Sequence, residues 1–182
     1  MSGLKVLVTG ASGFVGQHLV AALLARGCQV LAVARRLEPA QALPWFAQVE
    51  FVAADIHTLV LPRDVFDVIV LPACVQYFSD PAALVSRLLG CLREGGELHI
   101  LDSPLYATPQ RGRESAARSL RYFTDLGCPA LAAHYHQHTY ASFDGFTVQW
   151  LFDPRRAGTR LGRLFKRRQP HFPWLCLRKQ DN

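Results

Sequence analysis

A glycine-rich turn between a short strand pattern and a helical pattern constrains this chain more than any other feature. The apolar run Lys5–Val8 leads into Thr9-Gly10-Ala11-Ser12-Gly13-Phe14-Val15-Gly16. Gly10 permits a tight turn, Gly13 lets a backbone approach a pyrophosphate, and Gly16 lets the helix pack against the sheet. The helix N-terminus adds N–H groups for phosphate oxygens. The pattern predicts a nucleotide-phosphate site; the alternative interpretation is a tight strand-to-helix turn that binds nothing.

Strand and helix patterns alternate along most of the chain, which favours a mostly parallel sheet with helices on both faces. We expect strands at Lys5–Val8, Gln29–Ala34, Glu50–Ala54, Phe66–Leu71 and Glu97–Leu101, and a late antiparallel pair at Phe146–Phe152 and Phe172–Leu177. We expect helices at Phe14–Arg26, Leu37–Phe46, Pro81–Leu92 (capped by Asp80) and Arg113–Leu126. The predicted fold class is α/β, a single doubly wound Rossmann-like domain over residues 1–182.

Composition limits the classes of protein that this chain can belong to. A length of 182 residues suits one domain, and no apolar run approaches the roughly 18 residues of a membrane helix. The five cysteines form no C-x-x-C pair, and the N-terminus has no signal-peptide pattern. We therefore expect a cytoplasmic protein without a membrane segment.

Charge divides the chain into a nearly neutral body and a basic tail. From Leu151 onward stand nine of the 20 Lys and Arg residues, with two acids. We divide the domain into a dinucleotide-binding half (1–56), a second half (57–152) and a basic tail with a last strand (153–182). The tail has no recognised nucleic-acid motif, so we expect a solvated surface rather than a nucleic-acid partner.

The first part of the chain resembles the short-chain dehydrogenase/reductase superfamily. K-V-L-V-T-G-A-S-G-F-V-G is similar to the T-G-x-x-G-x-x-G pattern of its extended (NAD-dependent epimerase/dehydratase) and atypical branches. The resemblance covers about residues 4–56 and implies that the glycine loop lines a pyrophosphate site and that the residues after the third strand contact adenine. The implied cofactor residues are Gly10, Ser12, Gly13, Phe14, Val15, Gly16, Asp55 and Ile56.

The end of the second strand favours NADP over NAD. An acid at this position would bind the ribose 2′-hydroxyl of NAD, whereas here Ala34 is followed by Arg35 and Arg36. Two guanidinium groups can hold a 2′-phosphate by charge-assisted hydrogen bonds. The alternative is that one or both arginines are simply solvated.

The catalytic pair of those reductases is absent from the sequence. They use Tyr-x-x-x-Lys, in which the lysine lowers the pKa of the tyrosine. The residues four positions after the five tyrosines are Pro81, Gln110, Leu126, Thr139 and Asp144. Oxidoreductase or epimerase-like chemistry would therefore need another acid or base.

The second part resembles class I SAM-dependent methyltransferases over about residues 50–178. The resemblance is carried by F-D-V-I-V-L and by L-R-E-G-G-E-L-H-I-L-D. The first part departs from that family, because its first loop lacks the G-x-G core and neither of its first two strands ends in an acid. We expect an NADP-binding protein; the alternatives are a methyltransferase with a divergent first loop and a non-catalytic cofactor-binding or interaction protein.

Other residues remain candidates for a substrate or metal site. Asp102, Ser103 and Tyr106 follow the fifth strand at its carboxyl end, where open α/β sheets bind ligands, although an Asx or proline turn explains them equally well. Cys74 follows the fourth strand and can face the cofactor. His134, His136 and His138 alternate, but no cysteine or acid stands at matching spacing, so we expect no metal site. The small-molecule substrate and the oligomeric state do not follow from the sequence.

Overall fold

A seven-stranded sheet with helices packed against it forms the core of the protein. The computed structural model describes residues 3–156 and 170–179 of the chain. The strands are β1 (Lys5–Thr9), β2 (Gln29–Ala34), β3 (Glu50–Ala53), β4 (Phe66–Pro72), β5 (Leu92–Leu101), β6 (Val148–Phe152) and β7 (Trp174–Arg178). The helices are α1 (Phe14–Leu24), α2 (Glu38–Gln41), α3 (Pro81–Leu89) and α4 (Pro109–Asp125). The predicted α/β Rossmann-like fold is confirmed.

The strand order is β3-β2-β1-β4-β5-β7-β6. The first five strands are parallel, and β7 is antiparallel to both β5 and β6. This confirms the late antiparallel pair. It also distinguishes the sheet from the 3-2-1-4-5-6 order of the dinucleotide-binding fold, because β7 lies where the sixth parallel strand would lie.

Alternating side chains give the sheet an apolar core on each face. One cluster contains Leu7, Ile69 and Leu98 and is covered by α3. The other contains Val6, Val8 and Val70 and is covered by α1 through Val20. Both faces of β1 and β4 are therefore buried, which explains the continuous apolar runs of these strands.

All four predicted helices have different bounds in the structure, and α1 ends at Leu24 rather than Arg26. The predicted helix Leu37–Phe46 is wrong: it is the single turn α2 and a 3₁₀ turn at Phe46–Gln48. Pro39 and Pro44 interrupt this segment, and Trp45 is anchored instead by an Nε1 hydrogen bond to the Gln17 carbonyl at 3.0 Å.

The helix after Asp80 ends at Leu89 rather than Leu92, although its cap is as predicted. The Asp80 carboxylate accepts a hydrogen bond from the Ala83 amide at 2.9 Å, and Pro81 is the first helical residue. β5 starts at Leu92 instead of Glu97, and Gly95 and Gly96 lie inside this strand, where its pairing with β4 is irregular. α4 begins at Pro109 rather than Arg113.

None of the helices in the described ranges is long and apolar enough to cross a membrane. All five cysteines carry free thiols.

Candidate functional site

A cleft of about 660 Å³ opens at the carboxyl ends of β1, β2, β3, β4 and β5. This volume lies within the roughly 300–1,000 Å³ of small-molecule and cofactor sites. Its lining comes from the glycine loop and from the residues that follow β2, β3, β4 and β5. Every cofactor residue that the sequence predicted lies in this lining: Gly10, Ser12, Gly13, Phe14, Val15, Gly16, Arg35, Arg36, Asp55 and Ile56.

The glycine loop turns sharply from β1 into α1. Gly10 has a φ of +57°, in the left-handed region that favours glycine. A Cβ atom on Gly16 would lie 2.2 Å from the carbonyl oxygen of Gly10. The first helical turn therefore packs directly on the loop, and only a hydrogen at Gly16 leaves room for it.

The N-terminus of α1 faces the cleft without an acidic neighbour. Its first intrahelical hydrogen bond runs from the Gln17 amide to the Gly13 carbonyl at 3.0 Å, so the amides of Phe14, Val15 and Gly16 have no intrahelical acceptor. The helix has no side-chain cap and no acid in its first turn. The partial positive charge of the helix end is therefore available to an anion.

Arg35 and Arg36 follow β2 directly and are exposed at the same cleft. The β2 segment before them is buried from Val30 to Ala34. β2 thus places two cations at the carboxyl end of the sheet. A bound nucleotide would have its ribose at this end. The nearest acid of the lining in sequence is Asp55, beyond β3.

Asp55 and Ile56 form a turn after β3. The Asp55 carboxylate accepts a hydrogen bond from the His57 amide at 2.9 Å, and the Ile56 side chain is buried. Arg87 of α3 donates hydrogen bonds to the Ile56 carbonyl and, at 3.0 Å, to the Leu59 carbonyl. These bonds fix the connection to β4, which contains no regular helix, and hold Ile56 at the floor of the cleft.

Cys74 and Asp102 also line the cleft, at the ends of β4 and β5. The Cys74 sulfur lies 3.4 Å from the Thr9 hydroxyl, and burial raises the pKa of its thiol to about 11. Cys74 is therefore a neutral thiol at pH 7 and a poor nucleophile. Burial also raises the pKa of Asp102, although the charge of His171 opposes this shift.

Ser103 and Tyr106, the other two substrate candidates, lie outside the lining. Ser103 is buried, and its hydroxyl accepts a hydrogen bond from the Val75 amide at 3.3 Å. The Tyr106 hydroxyl pairs with that of Ser115 on α4 at 2.6 Å. Both side chains hold neighbouring elements together.

The long connection between β5 and β6 brings one further residue into the lining, Tyr135, which the sequence did not indicate. This connection returns to β4 through a hydrogen bond from the His136 amide to the Gln76 carbonyl at 2.7 Å. The Tyr135 ring lies 5.7 Å from the ring of Tyr77, and both line the cleft together with Gln76. Burial raises the pKa of Tyr135, and the neighbouring Tyr106 and Tyr77 add to the effect.

The three alternating histidines differ in burial and in their contacts. His134 is exposed at the end of a 3₁₀ segment, whereas His138 is buried with a ring nitrogen 2.9 Å from the Phe78 carbonyl. Burial lowers the pKa of His138, against the effect of this hydrogen bond. The His136 ring stacks on that of His138 at 6.1 Å.

A different cluster, Glu97, His99 and Cys176, was not foreseen because its members lie on two paired strands. One potential ligand atom from each lies within 4.8 Å of the others. However, Trp174 Nε1 donates to His99 Nδ1 at 3.0 Å, and Arg178 donates to Glu97 at 2.7 Å. The tryptophan bond places the imidazole proton on Nε2, towards Glu97, so this nitrogen donates and cannot coordinate a metal.

Part of the basic tail lies outside the described residues, including Arg160, Arg163, Lys166, Arg167 and Arg168. Three basic residues in the described part of the tail form ion pairs. Arg155 contacts Asp153, Arg178 contacts Glu97, and Lys179 contacts Asp64.

Sequence comparisons relate the first half of the chain to a dinucleotide-dependent family. The family model of the NAD dependent epimerase/dehydratase family matches residues 6–86, less than half of the chain. The match extends about 30 residues beyond Ile56, the limit that the motifs predicted. A fatty acid hydroxylase, uhd1 of Mycosarcoma maydis, is 43% identical over 58 residues, which are 32% of this chain. The match spans only 18% of that protein.

Several solved structures resemble the whole chain, and methyltransferases are among them. A protein of Bacillus halodurans C-125 assigned as a methyltransferase superposes with a TM-score of 0.67 at 14% identity, covering 100% of this chain and 94% of its own. YcgJ of Bacillus subtilis superposes with a TM-score of 0.65 at 17% identity, covering 100% of this chain and 94% of that chain. The plantazolicin methyltransferase BpumL, solved with SAH, superposes with a TM-score of 0.63 at 14% identity. The match covers 100% of this chain and 78% of that chain.

The two comparisons favour different parts of the sequence interpretation. At these identities the structural likeness establishes the fold alone, and it does so over the whole chain. The family model supports the reductase resemblance for the first half only.

Proposed function

We propose that this chain binds NADP(H) in the cleft at the carboxyl end of the sheet. One observation carries the proposal: positive charge is gathered at two places where this cofactor has phosphates. The first is the N-terminus of α1, which has no acid in its first turn, and the second is the pair Arg35 and Arg36. The pyrophosphate would lie at the helix and the 2′-phosphate at the arginines.

The glycine loop fits a pyrophosphate in its shape as well as its charge. Gly13 is the residue before α1, and a Cβ atom there would already lie 3.1 Å from the Gly10 carbonyl oxygen. The loop therefore leaves little room for a side chain at Gly13, which keeps the backbone of the turn compact beside the cleft. Phe14 beside it is 83% exposed, which is unusual for a phenylalanine and is consistent with a position against a ligand.

The arginines account for the choice between NADP and NAD. A guanidinium group forms two parallel hydrogen bonds to a phosphate, and each hydrogen bond to a charged group contributes about 1.5–3 kcal/mol. A free ribose 2′-hydroxyl, as in NAD, offers no charge to these groups. Because Arg35 and Arg36 are exposed and adjacent, both can reach a phosphate at the end of β2.

The cleft supports cofactor binding better than a reductase mechanism. When bound, NADP(H) supplies hydride transfer. The tyrosines of the lining are Tyr77 and Tyr135, and the raised pKa of Tyr135 keeps its hydroxyl protonated at pH 7. Tyr135 can therefore donate a hydrogen bond but is a weak base, and Cys74 is likewise neutral.

A second candidate function is methyl transfer from SAM. It is favoured by the resemblance of residues 50–178 to class I methyltransferases and by the antiparallel position of β7. The residues of the first half oppose it. SAM carries no phosphate for the helix end, and Arg35 stands where the family has an acid for the ribose hydroxyls.

A thermal-shift panel separates the two candidates. The full chain is heated with NADP(H), NAD(H), SAM and SAH, and a ligand at about 100 times its Kd stabilises by about 2.7 kcal/mol. We expect the largest rise in Tm with NADP(H). Stabilisation by SAM or SAH without a response to either nicotinamide cofactor would contradict the proposal and support methyl transfer.

Two adenosine fragments test the 2′-phosphate separately. Adenosine 2′,5′-bisphosphate is expected to bind at least about tenfold more tightly than adenosine 5′-monophosphate, since the added phosphate meets Arg35 and Arg36. Equal affinities of the two fragments would show that Arg35 and Arg36 do not contact the 2′-phosphate.

A further inference from the structure

Charge is distributed unevenly along the cleft. The arginines of the lining, Arg35 and Arg36, lie at the β2 end, together with the N-terminus of α1. At the β4–β5 end, the charged residue of the described lining is Asp102. The half that would receive phosphates is therefore cationic, whereas the opposite half is acidic.

Aromatic rings surround this acidic half. Tyr77, Tyr135 and Phe172 line it, and the first two rings meet edge to face at 5.7 Å. Tyr77 is 54% exposed and Phe172 is 38% exposed, so both present ring surface to the cleft rather than to the core. Aromatic faces attract cations through the ring quadrupole and also cover apolar groups.

Two residues of this half have unusual backbone conformations. Ala73 and Asp102 have φ values of +50° and +54°, which non-glycine residues rarely adopt. The two lie side by side, because the Ala73 amide donates to the Leu101 carbonyl at 2.8 Å. Such strain is found where a fold fixes a functional group, and here it places the Asp102 carboxylate at the end of β5.

Gln76 adds a buried acceptor at the same place. Its Nε2 donates to the Ala73 carbonyl at 2.8 Å, which fixes the orientation of the amide. Its Oε1 is buried, and no donor in the described part of the chain lies within hydrogen-bond distance. Buried acceptors without a donor are rare and indicate that a partner is missing. Carboxylate and amide oxygens both take N–H donors.

We propose that the β4–β5 half of the cleft is a subsite for a cationic amine, which Asp102 pairs with and which Tyr77 and Tyr135 cover. The subsite takes a protonated amine on an aromatic or apolar body and rejects carboxylates and phosphates. This inference rests on the proposed function in one respect: the cofactor occupies the β1–β2 half and leaves this half to the substrate.

Three probes of similar size and different charge test the subsite. Binding of 2-phenylethylammonium, 2-phenylethanol and 3-phenylpropanoate to the full chain is measured by calorimetry, with and without NADP⁺. We expect the ammonium to bind about tenfold more tightly than the alcohol, and the carboxylate to bind more weakly than both. Equal affinities, or tighter binding of the carboxylate, would overturn the proposal.

Substitutions test whether the ammonium binds at Asp102 and Tyr77. Asp102→Asn retains a residue that tolerates a positive φ and removes the charge, and Tyr77→Leu removes an exposed ring. Each is expected to weaken ammonium binding at least about fivefold, and the loss is expected to be smaller for the alcohol. Asp144→Asn, at an exposed turn outside the cleft, is the matched control and leaves both affinities unchanged.

The amine and the cofactor are measured separately, so their failures can be told apart. If ammonium binding depends on Asp102 but the protein does not bind NADP(H), the subsite is supported and the proposed cofactor is refuted. If the protein binds NADP(H) but shows no preference for the ammonium, the cofactor is supported and the subsite is refuted.

Discussion

Gly13, Arg35 and Arg36 are the residues on which the proposed phosphate binding rests. The glycine-loop pattern predicts the place of Gly13, and the end of β2 predicts the place of the two arginines. All three lie in one cleft with Asp55 and Ile56. Tyr135 could not be found this way, because its position depends on a long connection that folds back onto the turn after β4.

Arg35→Asp is expected to shift cofactor preference from NADP towards NAD. The carboxylate would repel a 2′-phosphate and can accept a hydrogen bond from a ribose hydroxyl, so we expect a change in the Kd ratio of at least about tenfold. Calorimetric titration of both cofactors measures it, with Arg118→Asp on the exposed part of α4 as control. An unchanged ratio in Arg35→Asp would mean that this guanidinium does not contact the cofactor.

We expect little NADP-dependent oxidation of alcohols at pH 7. A tyrosine has an ordinary pKa of about 10, and burial raises the pKa of Tyr135 further, so the phenolate form is scarce at neutral pH and increases only at high pH. Turnover is measured from pH 7 to above pH 10 for the parent and for Tyr135→Phe. Robust turnover at pH 7 that this substitution removes would contradict the account.

The elements of secondary structure were predictable where one local pattern determined them. β1, α1 and β2 follow from apolar runs separated by glycines, and the cap at Asp80 follows from its proline neighbour. The Leu37–Phe46 segment was misjudged because Pro39 and Pro44 interrupt the helix, and the Trp45 contact with the Gln17 carbonyl is one that no local pattern reveals. β5 begins early because its first residue, Leu92, pairs with Phe66 across the sheet.

Gly16→Ala tests the packing of α1 against its loop. The new Cβ atom would lie 2.2 Å from the Gly10 carbonyl oxygen, a backbone atom that cannot move away alone. Overpacking of this kind costs about 1–3 kcal/mol, so we expect a lower free energy of unfolding in urea. Gly145→Ala is the control, because its Cβ would meet no atom within 4 Å. Equal stabilities of the two variants would show that the loop and the helix are not in close contact.

The whole molecule combines features that usually identify two different families. Its first half matches the NAD dependent epimerase/dehydratase model, while its complete fold superposes on methyltransferases. The two are compatible because both depend on a doubly wound sheet that binds ligands at its carboxyl end. In the proposed function the sheet positions the cofactor, and residues of the first half select NADP(H).

The measurement that tests the central claim most directly is the response of Tm to NADP(H) in the parent and in Gly13→Val. A branched side chain at Gly13 would occupy the space of the pyrophosphate, while Gly145→Val adds the same atoms outside the cleft. Far-UV circular dichroism verifies that all three proteins are folded. We predict that NADP(H) raises Tm in the parent and in Gly145→Val but not in Gly13→Val. An equal rise in all three, or a rise with SAM alone, would contradict the account.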